Sequence, residues 1–390
     1  MARILFGSEF GANLGHIYPM LRIADVLAER GHEIVFAVRN VPQTQQALKG
    51  RAFKVVQAPY WQNSTNPKLK GVATPCYADV MARQGFGHVE TLRGMFAAWS
   101  NLIKLLKPDA VLADHSPGMS LAARGLVPMI NFGNGFTLPP SHIKTYPNVI
   151  SQGERLLSQG KMLEIFNDAL AADGRGPLAH LPQIFETEGQ YVCTVPQLDP
   201  YKNYRNFNLV GPLEKSLDFA PLPDAPHVFL YMAHEAGDNN VALEAIKRLG
   251  VTATVYLRGA STITLSAYTS DKIEMLSEPA DFSVAIPKSS VVIHSGGGGT
   301  STSCLMTGRV QIMFPTHSET MLNSKLLVQA GTAKAVRGSI TVDQFAGTLQ
   351  HLMESSKMKD TALEIAAQLS DGDWHSALTK ITTHVEKLVH

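Results

Sequence analysis

One segment of the sequence has the composition of an anion-binding loop. Four consecutive glycines, residues 296–299, stand between the apolar stretch SVVIH (290–294) and a segment from Thr300 that reads as a helix. Glycine lets backbone N–H groups approach a ligand closely, and a helix N-terminus adds unpaired donors, so the segment suits a phosphate or diphosphate. A flexible tight turn is the alternative. The sequence lacks GxxxxGK[ST], which argues against a P-loop nucleotidase, and it also lacks GxGxxG after the first strand.

His16 is a candidate general base. It lies on the predicted loop between the first strand and the first helix, where an open α/β sheet presents its ligand crevice. An imidazole titrates near pH 6.5 and is the usual side chain for proton removal near neutral pH. Considered alone, a loop histidine is more often a surface residue.

Strands and helices alternate in the first half of the chain. RILF (3–6) reads as a buried strand and residues 18–31 as a helix, with Pro19 near its first turn. The pattern continues with EIVFAV (33–38), FKVVQ (53–57), a helix ending near Leu106, AVLAD (110–114), a helix from Met119 and VPMIN (127–131). This alternation predicts a doubly wound α/β fold.

The alternation restarts after a proline-rich segment, residues 208–226, which we interpret as an interdomain linker. It continues with HVFLYM (227–232), a helix around 239–249, TATVYL (252–257), KIEML (272–276), SVVIH (290–294), a helix from Thr300, VQIMF (310–314) and a helix from Glu319. The tail from Thr341 reads as helical. The sequence therefore predicts a second doubly wound domain.

The composition is that of an ordinary globular enzyme. A chain of 390 residues with 45% hydrophobic and 17% charged residues can bury a large core. Lys and Arg total 34 against 33 for Asp and Glu, so no basic excess is available to neutralise a phosphate backbone, and we expect no nucleic-acid partner. Cys76, Cys193 and Cys304 lie far apart without CxxC spacing, which predicts core thiols in a reducing compartment.

The sequence also carries no targeting signal that we recognise. Its start runs straight into a strand-like stretch without the charged and apolar regions of a secretory signal, and no stretch of 18 apolar residues occurs. We therefore expect a cytoplasmic protein without stable membrane insertion. A homodimer is compatible with the sequence.

Several motifs together resemble the bacterial GT-B glycosyltransferases, nucleotide-sugar-dependent enzymes that glycosylate macrolides, glycopeptides and other small lipophilic acceptors. That family carries a His-Gly-Gly-x-Gly-Thr loop, then Gly-x-Pro, a strand ending in Pro, an Asp-Gln pair and an Asn. The counterparts here are His294-Ser295-Gly296-Gly297-Gly298-Gly299-Thr300, Gly308, Pro315, Glu319-Thr320, Asn323 and Gly331. Gly15-His16-x-x-Pro19 and Gly211-Pro212 extend the resemblance over most of the chain.

The resemblance implies a role for each motif. His16 would remove the proton of the acceptor hydroxyl, and Asp114 would orient the His16 ring. Capping of the next helix is the alternative for Asp114, and the adjacent His115 has no equally good role. The donor would be held by His294, Ser295, Gly296, Gly297, Gly298, Gly299, Thr300, Glu319, Thr320 and Asn323. The resemblance implies no metal and no cofactor, since the nucleotide sugar is a co-substrate.

The resemblance also implies the domain organisation. It predicts two facing Rossmann-like domains, an acceptor-binding domain at 1–212 and a donor-binding domain at 213–370. A C-terminal helix within 371–390 would pack back on the first domain. The long irregular segments 60–88 and 133–147 are candidates for the acceptor pocket.

The chain departs from the family pattern at several donor positions. Ser295 stands where the family has its phosphate-contacting His, so His294 either reaches the diphosphate or only ends the buried strand. Glu319-Thr320 replaces Asp-Gln, which should change the sugar that fits. Ser303 occupies the position of a ribose-binding Glu, and YMAHE (231–235) replaces Ser-x-Gly near the phosphates.

The sequence as a whole predicts an inverting glycosyltransferase of natural-product or antibiotic biosynthesis. It would move a sugar from a UDP- or dTDP-sugar to a hydroxyl of a small lipophilic acceptor. One alternative is a nucleotide-sugar-binding protein of the same fold without transfer activity, which the departures from the family pattern motivate. A sugar-nucleotide epimerase of the same fold is a further alternative.

Overall fold

The computed structural model describes residues 1–11, 14–61, 74–150, 155–213, 217–233 and 239–390. The chain forms two units, the first comprising Met1–Glu214 with His375–His390 and the second comprising Lys215–Trp374. Each unit contains a six-stranded parallel sheet with helices around it. The predicted α/β class with two doubly wound domains is confirmed. The assignment of acceptor and donor roles to the two domains stays a prediction.

The first sheet has the strand order β3-β2-β1-β4-β5-β6. Its strands are β1 (Arg3–Ser8), β2 (Glu33–Val38), β3 (Lys54–Gln57), β4 (Ala110–Asp114), β5 (Met129–Gly133) and β6 (Gly189–Val192). Leu5 of β1 lies in register with Val35 on one side and Val111 on the other. The inner strands are buried, which explains their continuous apolar runs. Strand order reverses between β1 and β4, the point where open α/β sheets bind ligands.

The second sheet repeats this topology, with the order β12-β11-β10-β7-β8-β9. Its strands are β7 (His227–Ala233), β8 (Thr252–Arg258), β9 (Ile273–Leu276), β10 (Val291–His294), β11 (Val310–Met313) and β12 (Ala333–Ala335). Strand order reverses between β7 and β10, so the loop after β10 occupies the same topological position as the loop after β4. The predicted glycine segment follows β10.

The helices flank these sheets. The first unit contains α1 (Leu14–Glu29), α2 (Val41–Leu48), α3 (Tyr77–Met81), α4 (Val89–Leu106), α5 (Pro117–Ala123) and α6 (Gln159–Ala172). The second unit contains α7 (Asn239–Leu249), α8 (Thr262–Tyr268), α9 (Phe282–Ala285), α10 (Gly298–Thr307), α11 (Ser318–Gln329), α12 (Val342–Glu354) and α13 (Ser356–Ser370). The last helix, α14 (Ala377–Val389), belongs to the first unit.

Helix α14 completes the core of the first unit. Ala377, Ile381 and Val385 are buried in the cluster that lies under β1, β2 and β4. The hydroxyl of Tyr191 and Nδ1 of His384 are 2.8 Å apart, which fixes the helix against β6. The apolar stripe of the tail is thereby buried.

Several element boundaries differ from the predictions. Helix α1 begins at Leu14, so His16 lies in its first turn rather than on the loop, and Pro19 lies inside the helix. Buried Ile17 explains the earlier start, because it places an apolar residue on the core face one turn before Leu21. Helix α10 begins at Gly298, two residues before the predicted start. The segment 60–88 is partly helical, because it includes α3 and a π-helical turn at Ala82–Phe86.

A buried arginine of the second unit forms hydrogen bonds with the predicted linker. Residues 217–226 contain neither helix nor strand. Arg309 is fully buried and donates hydrogen bonds to the backbone oxygens of Ala220 at 2.9 Å and Pro221 at 2.7 Å. The guanidinium therefore fixes the end of the linker nearest β7. In the part of the chain that the structure describes, we find no helix with the length and apolarity needed to span a bilayer.

Candidate functional site

The switch point of the first sheet brings together two predicted residues. His16 lies in the first turn of α1 and Asp114 ends β4, and the distance between His16 Nδ1 and Asp114 Oδ2 is 2.8 Å. The His16 side chain is 16% exposed and that of Asp114 is 5% exposed. A carboxylate accepts hydrogen bonds, so Nδ1 donates and Nε2 of the neutral ring carries the lone pair. This is the arrangement of a general base oriented by a buried carboxylate.

The switch point of the second sheet carries the glycine loop. His294 ends β10 with 1% of its surface exposed, and its Nδ1 accepts a hydrogen bond of 3.0 Å from the N–H of Gly296. Nε2 must then carry the proton, which it donates to Oε1 of Gln311 at 2.9 Å. Burial lowers the pKa of His294 to about 4, while the bond to Gln311 acts in the opposite direction. A diphosphate contact by His294 would require one of these hydrogen bonds to break.

The remaining loop residues lead directly into α10. Gly296 has a φ of 82°, in the left-handed region that favours glycine. A Cβ at position 296 would lie 3.1 Å from the backbone oxygen of Thr320, a tight contact that also disfavours a side chain there. Gly297 caps α10 without a side-chain acceptor, and Ser295 and residues 297–300 are half-buried. The first turn of α10 therefore presents backbone donors beside a glycine surface.

Helix α11 carries two of the predicted donor residues, and Asn323 holds the glycine loop in place. Asn323 is buried and donates from Nδ2 to the backbone oxygen of Gly296 at 3.0 Å. The Thr320 hydroxyl accepts from the N–H of Thr316 at 3.0 Å and from that of His317 at 3.1 Å. Glu319 lies half-buried in the first turn of the helix. Thr320 and Asn323 thus stabilise the site through backbone contacts.

One predicted feature lies partly outside the described residues. His234 and Glu235 of the altered 231–235 segment lie outside the described residues, which end this strand at Ala233. Among the residues that the structure does describe, no three His, Cys, Asp or Glu side chains are grouped as a metal site would require. Cys76, Cys193 and Cys304 are buried, as predicted.

Proteins of similar sequence are glycosyltransferases. No family model matches the chain. A PGL/p-HBAD biosynthesis glycosyltransferase of Mycobacterium tuberculosis is 24% identical over 399 residues, covering 93% of this chain and 88% of the relative. A PGL/p-HBAD biosynthesis rhamnosyltransferase of Mycobacterium bovis is also 24% identical, over 396 residues that cover 93% of this chain and 83% of the relative.

Solved structures show the same fold. The calicheamicin glycosyltransferase CalG4 matches with a TM-score of 0.69 at 15% identity, covering 100% of this chain and 98% of its own. The spinosyn rhamnosyltransferase SpnG matches with a TM-score of 0.68 at 16% identity, covering 98% of this chain and 99% of its own. The chain has the fold of these GT-B glycosyltransferases. The predicted resemblance is confirmed.

The first unit also contains a buried carboxylate that the sequence analysis missed. Glu9 follows β1 and accepts hydrogen bonds from the indole N–H groups of Trp61 at 2.8 Å and Trp99 at 2.6 Å, and from the backbone N–H of Gly118. A Cβ at position 118 would lie 2.7 Å from Glu9 Oε2, so any other residue there would displace the carboxylate from this position. Burial raises the pKa of Glu9 to about 7, although these hydrogen bonds oppose the shift.

His115 is the second residue whose role the sequence did not reveal. It has a φ of 47°, which a non-glycine residue rarely adopts. Its ring centroid lies 5.5 Å from that of His16 and 5.3 Å from that of Phe10. Burial lowers the pKa of His115 well below its usual value, and His16 lowers it further. A neutral imidazole therefore packs directly against the candidate base.

Proposed function

We propose that the protein is an inverting glycosyltransferase that uses a UDP- or dTDP-sugar and a hydroxyl of a small lipophilic acceptor. The observation that carries the proposal is the hydrogen bond of 2.8 Å between His16 and Asp114. A binding protein without transfer activity would need no general base, so this dyad favours the enzyme over that alternative. It also favours the enzyme over an epimerase, which transfers no sugar to an acceptor.

In the proposed step, a bond between the acceptor oxygen and the anomeric carbon of the sugar replaces the bond between the diphosphate and that carbon. The acceptor oxygen attacks that carbon on the face opposite the diphosphate, and the carbon–oxygen bond to the diphosphate breaks. Nε2 of His16 takes the acceptor proton, and Asp114 stabilises the imidazolium that forms. The backbone donors of the 294–300 loop and the N-terminus of α10 stabilise the charge on the departing diphosphate.

Structures of related folds support a nucleoside diphosphate in the donor. The glycosyltransferase VinC has been solved in complex with dTDP, and SpnG in complex with thymidine diphosphate and with the spinosyn aglycone. By analogy, we assign the donor to the second unit and the acceptor to the first. No metal ion or other cofactor has a part in the proposed reaction.

The test is incubation with a panel of UDP- and dTDP-sugars and a phenolic acceptor, with release of free nucleotide as the readout. Reactions without acceptor provide the control for donor hydrolysis. NMR of the glycoside would report the anomeric configuration, which should be opposite to that of the donor. Thermal stabilisation by a nucleotide sugar without turnover would instead support the binding protein, and retention of configuration would refute the inverting mechanism.

A further inference from the structure

Glu9 has no part in the proposed reaction, although its hydrogen bonds reach several elements of the first unit. Its carboxylate oxygens accept from the side chains of Trp61 and Trp99 and from the backbone of Gly118. The N–H of Met119 is a further donor. All four donors are neutral, so removing the ionised carboxylate from water reduces stability, which is why burial raises its pKa to about 7. A group retained at such a cost is a candidate for a functional role.

Glu9 joins the two segments that carry His16 and Asp114. After β1, the chain passes through Glu9 and enters α1, whose first turn contains His16. After β4, the chain leaves Asp114 and enters α5, whose first turn contains Gly118. The bond between Gly118 and Glu9 therefore connects the same two segments as the bond within the dyad. These segments meet at the switch point of the first sheet, because β1 and β4 are neighbouring strands.

Two backbone contacts lead from Glu9 to the dyad. The N–H of Phe10 donates to the backbone oxygen of His115 at 3.2 Å. His115 has a φ of 47°, and a non-glycine residue keeps such a conformation only where its neighbours fix it. A Cβ at position 11 would lie 2.7 Å from Cγ of His16, so the backbone of Gly11 packs directly against the His16 side chain. Glu9 thus anchors the backbone that contacts both histidines.

The orientation of the His16 ring decides whether it can act as a base. A general base must bring its nitrogen within about 2.6–3.2 Å of the hydroxyl that it deprotonates. The hydrogen bond to Asp114 holds Nδ1 of His16, but a ring held at one atom can still tilt. The contact with Gly11 limits this tilt from the side of the β1 segment. A displacement of about 1 Å can reduce turnover about 10²-fold, so the support that Gly11 gives affects the rate.

We propose that Glu9 is a positioning residue that keeps the ring of His16 in its reactive orientation. It acts through the backbone of Phe10 and Gly11. With 1% of its surface exposed, Glu9 does not itself contact the substrate. This inference rests on the proposed function, because it takes His16 as the general base. It adds to that function a residue outside the motifs that resemble the GT-B family.

Glu9→Gln tests the proposal at pH 8, where the wild-type carboxyl is ionised. Oε2 accepts from both tryptophans and Oε1 accepts from Gly118, so either orientation of the new amide places its NH₂ group against a donor. We expect a turnover number about tenfold lower, with KM for donor and acceptor changed by less than about twofold. Initial rates of nucleotide release at varied concentrations of both substrates measure this. An unchanged turnover number would overturn the proposal.

Two further variants separate positioning from loss of stability. Tyr191→Phe removes the hydrogen bond to His384, so it should lower the melting temperature and keep wild-type turnover. Trp99→Phe removes one donor to Glu9 and leaves a cavity, so it should lower the melting temperature most, and turnover by less than Glu9→Gln does. Glu9→Gln should lose little melting temperature at pH 8, because it also removes a buried charge. Turnover that falls in the same order as the melting temperature would make Glu9 structural and the proposal wrong.

A double variant shows whether Glu9 acts through His16. Glu9→Gln should lower turnover about tenfold in the wild type but less than about twofold in His16→Ala, where no base remains to be positioned. The same factor in both backgrounds would mean that Glu9 affects turnover independently of His16, and it would overturn the proposal.

Nitrogen NMR of the histidines separates this proposal from the proposed function, because it needs no turnover. The His16 signals are those that His16→Ala removes. In the wild type, the two ring nitrogens should have the distinct shifts of an Nδ1–H tautomer, and Glu9→Gln should move them towards a common value. This change without nucleotide release from any donor would retain the positioning role and refute the transferase. Transfer with identical shifts and rates in the two proteins would retain the transferase and refute the positioning role.

Discussion

The loops after β4 and β10 occupy the same topological position in the two sheets but meet different partners. After β4, the N–H of Gly118 in the first turn of α5 donates to the carboxylate of Glu9. After β10, α10 begins behind Gly297, whose lack of a side chain leaves the cap without an intramolecular acceptor. The first unit thus uses a helix N-terminus internally, whereas the second unit leaves the corresponding N-terminus without a side-chain cap, as we propose for a site that binds the donor diphosphate.

The residues that end β4 and β10, Asp114 and His294, also differ in their partners. Asp114 pairs with His16, whose side chain is 16% exposed. His294 is 1% exposed and uses both ring nitrogens within the second unit. The difference supports our proposal that proton transfer belongs to the first switch point and backbone-mediated anion binding to the second.

The largest expected effect is on turnover. His16→Ala should reduce turnover by about 10²–10⁴-fold, the usual contribution of a general base, with little change in donor affinity. Asp114→Asn should cause a smaller but clear loss, because the amide cannot stabilise the imidazolium. Nucleotide release measures turnover, and His351→Ala on α12, an exposed histidine, is the control. Near-normal turnover of His16→Ala would contradict the assignment of proton transfer to the first switch point.

The second prediction concerns the pH dependence of stability. The pKa of Glu9 is raised to about 7, so the folded state binds more protons than the unfolded state and loses stability as pH rises. Relative to wild type, Glu9→Gln should gain roughly 2–3 kcal/mol of unfolding free energy between pH 5 and pH 8. Urea unfolding at both pH values measures this difference.

His294 supplies the contrast in the same experiment. Its pKa is lowered to about 4, so its contribution to stability is present above pH 6.5 and is lost as pH falls towards 4. Relative to wild type, His294→Gln should therefore gain stability with falling pH. Parallel pH profiles for wild type and Glu9→Gln would mean that the carboxyl is not held in a low-dielectric site.

The third prediction tests the glycine loop. Gly296→Ala must place a Cβ on a backbone with a φ of 82° and 3.1 Å from the oxygen of Thr320. We expect a stability loss of about 1–2 kcal/mol and donor binding weakened about tenfold. Gly297→Ala is the matched comparison for stability, because its Cβ would meet no atom within 4 Å. Equal melting temperatures for the two variants would contradict the steric argument.

The smallest expected effect concerns the nucleotide. Ser303 offers no carboxylate to the two ribose hydroxyls of UDP, so the wild type should discriminate little against dTDP. Ser303→Glu should shift the preference towards UDP by up to about tenfold, measured by competition binding. Ser303→Gln controls for side-chain size, since Ser303 is only 7% exposed. A wild-type preference for UDP of tenfold or more that Ser303→Glu leaves unchanged would refute the ribose argument.

The sequence was informative where structure depends on local pattern. The inner strands were predicted because burial on both faces requires continuous apolar runs. Strands β6 and β12 were missed because they are edge strands of four and three residues with little apolar pattern. Glu9 was missed because its burial depends on Trp61, Trp99 and Gly118, which are remote in sequence. No local pattern distinguishes it from a solvated loop residue.

The return of α14 to the first unit has a consequence for synthesis on the ribosome. The second unit is continuous in sequence, whereas the first lacks Ile381 and Val385 of its core until the last helix is translated. At typical elongation rates of 5–20 residues per second, translation of the intervening second unit takes roughly 10–30 s. During this interval the apolar surface under β1 and β4 is not yet covered by α14. All core residues of Lys215–Trp374 are thus translated before the core of the other unit is complete.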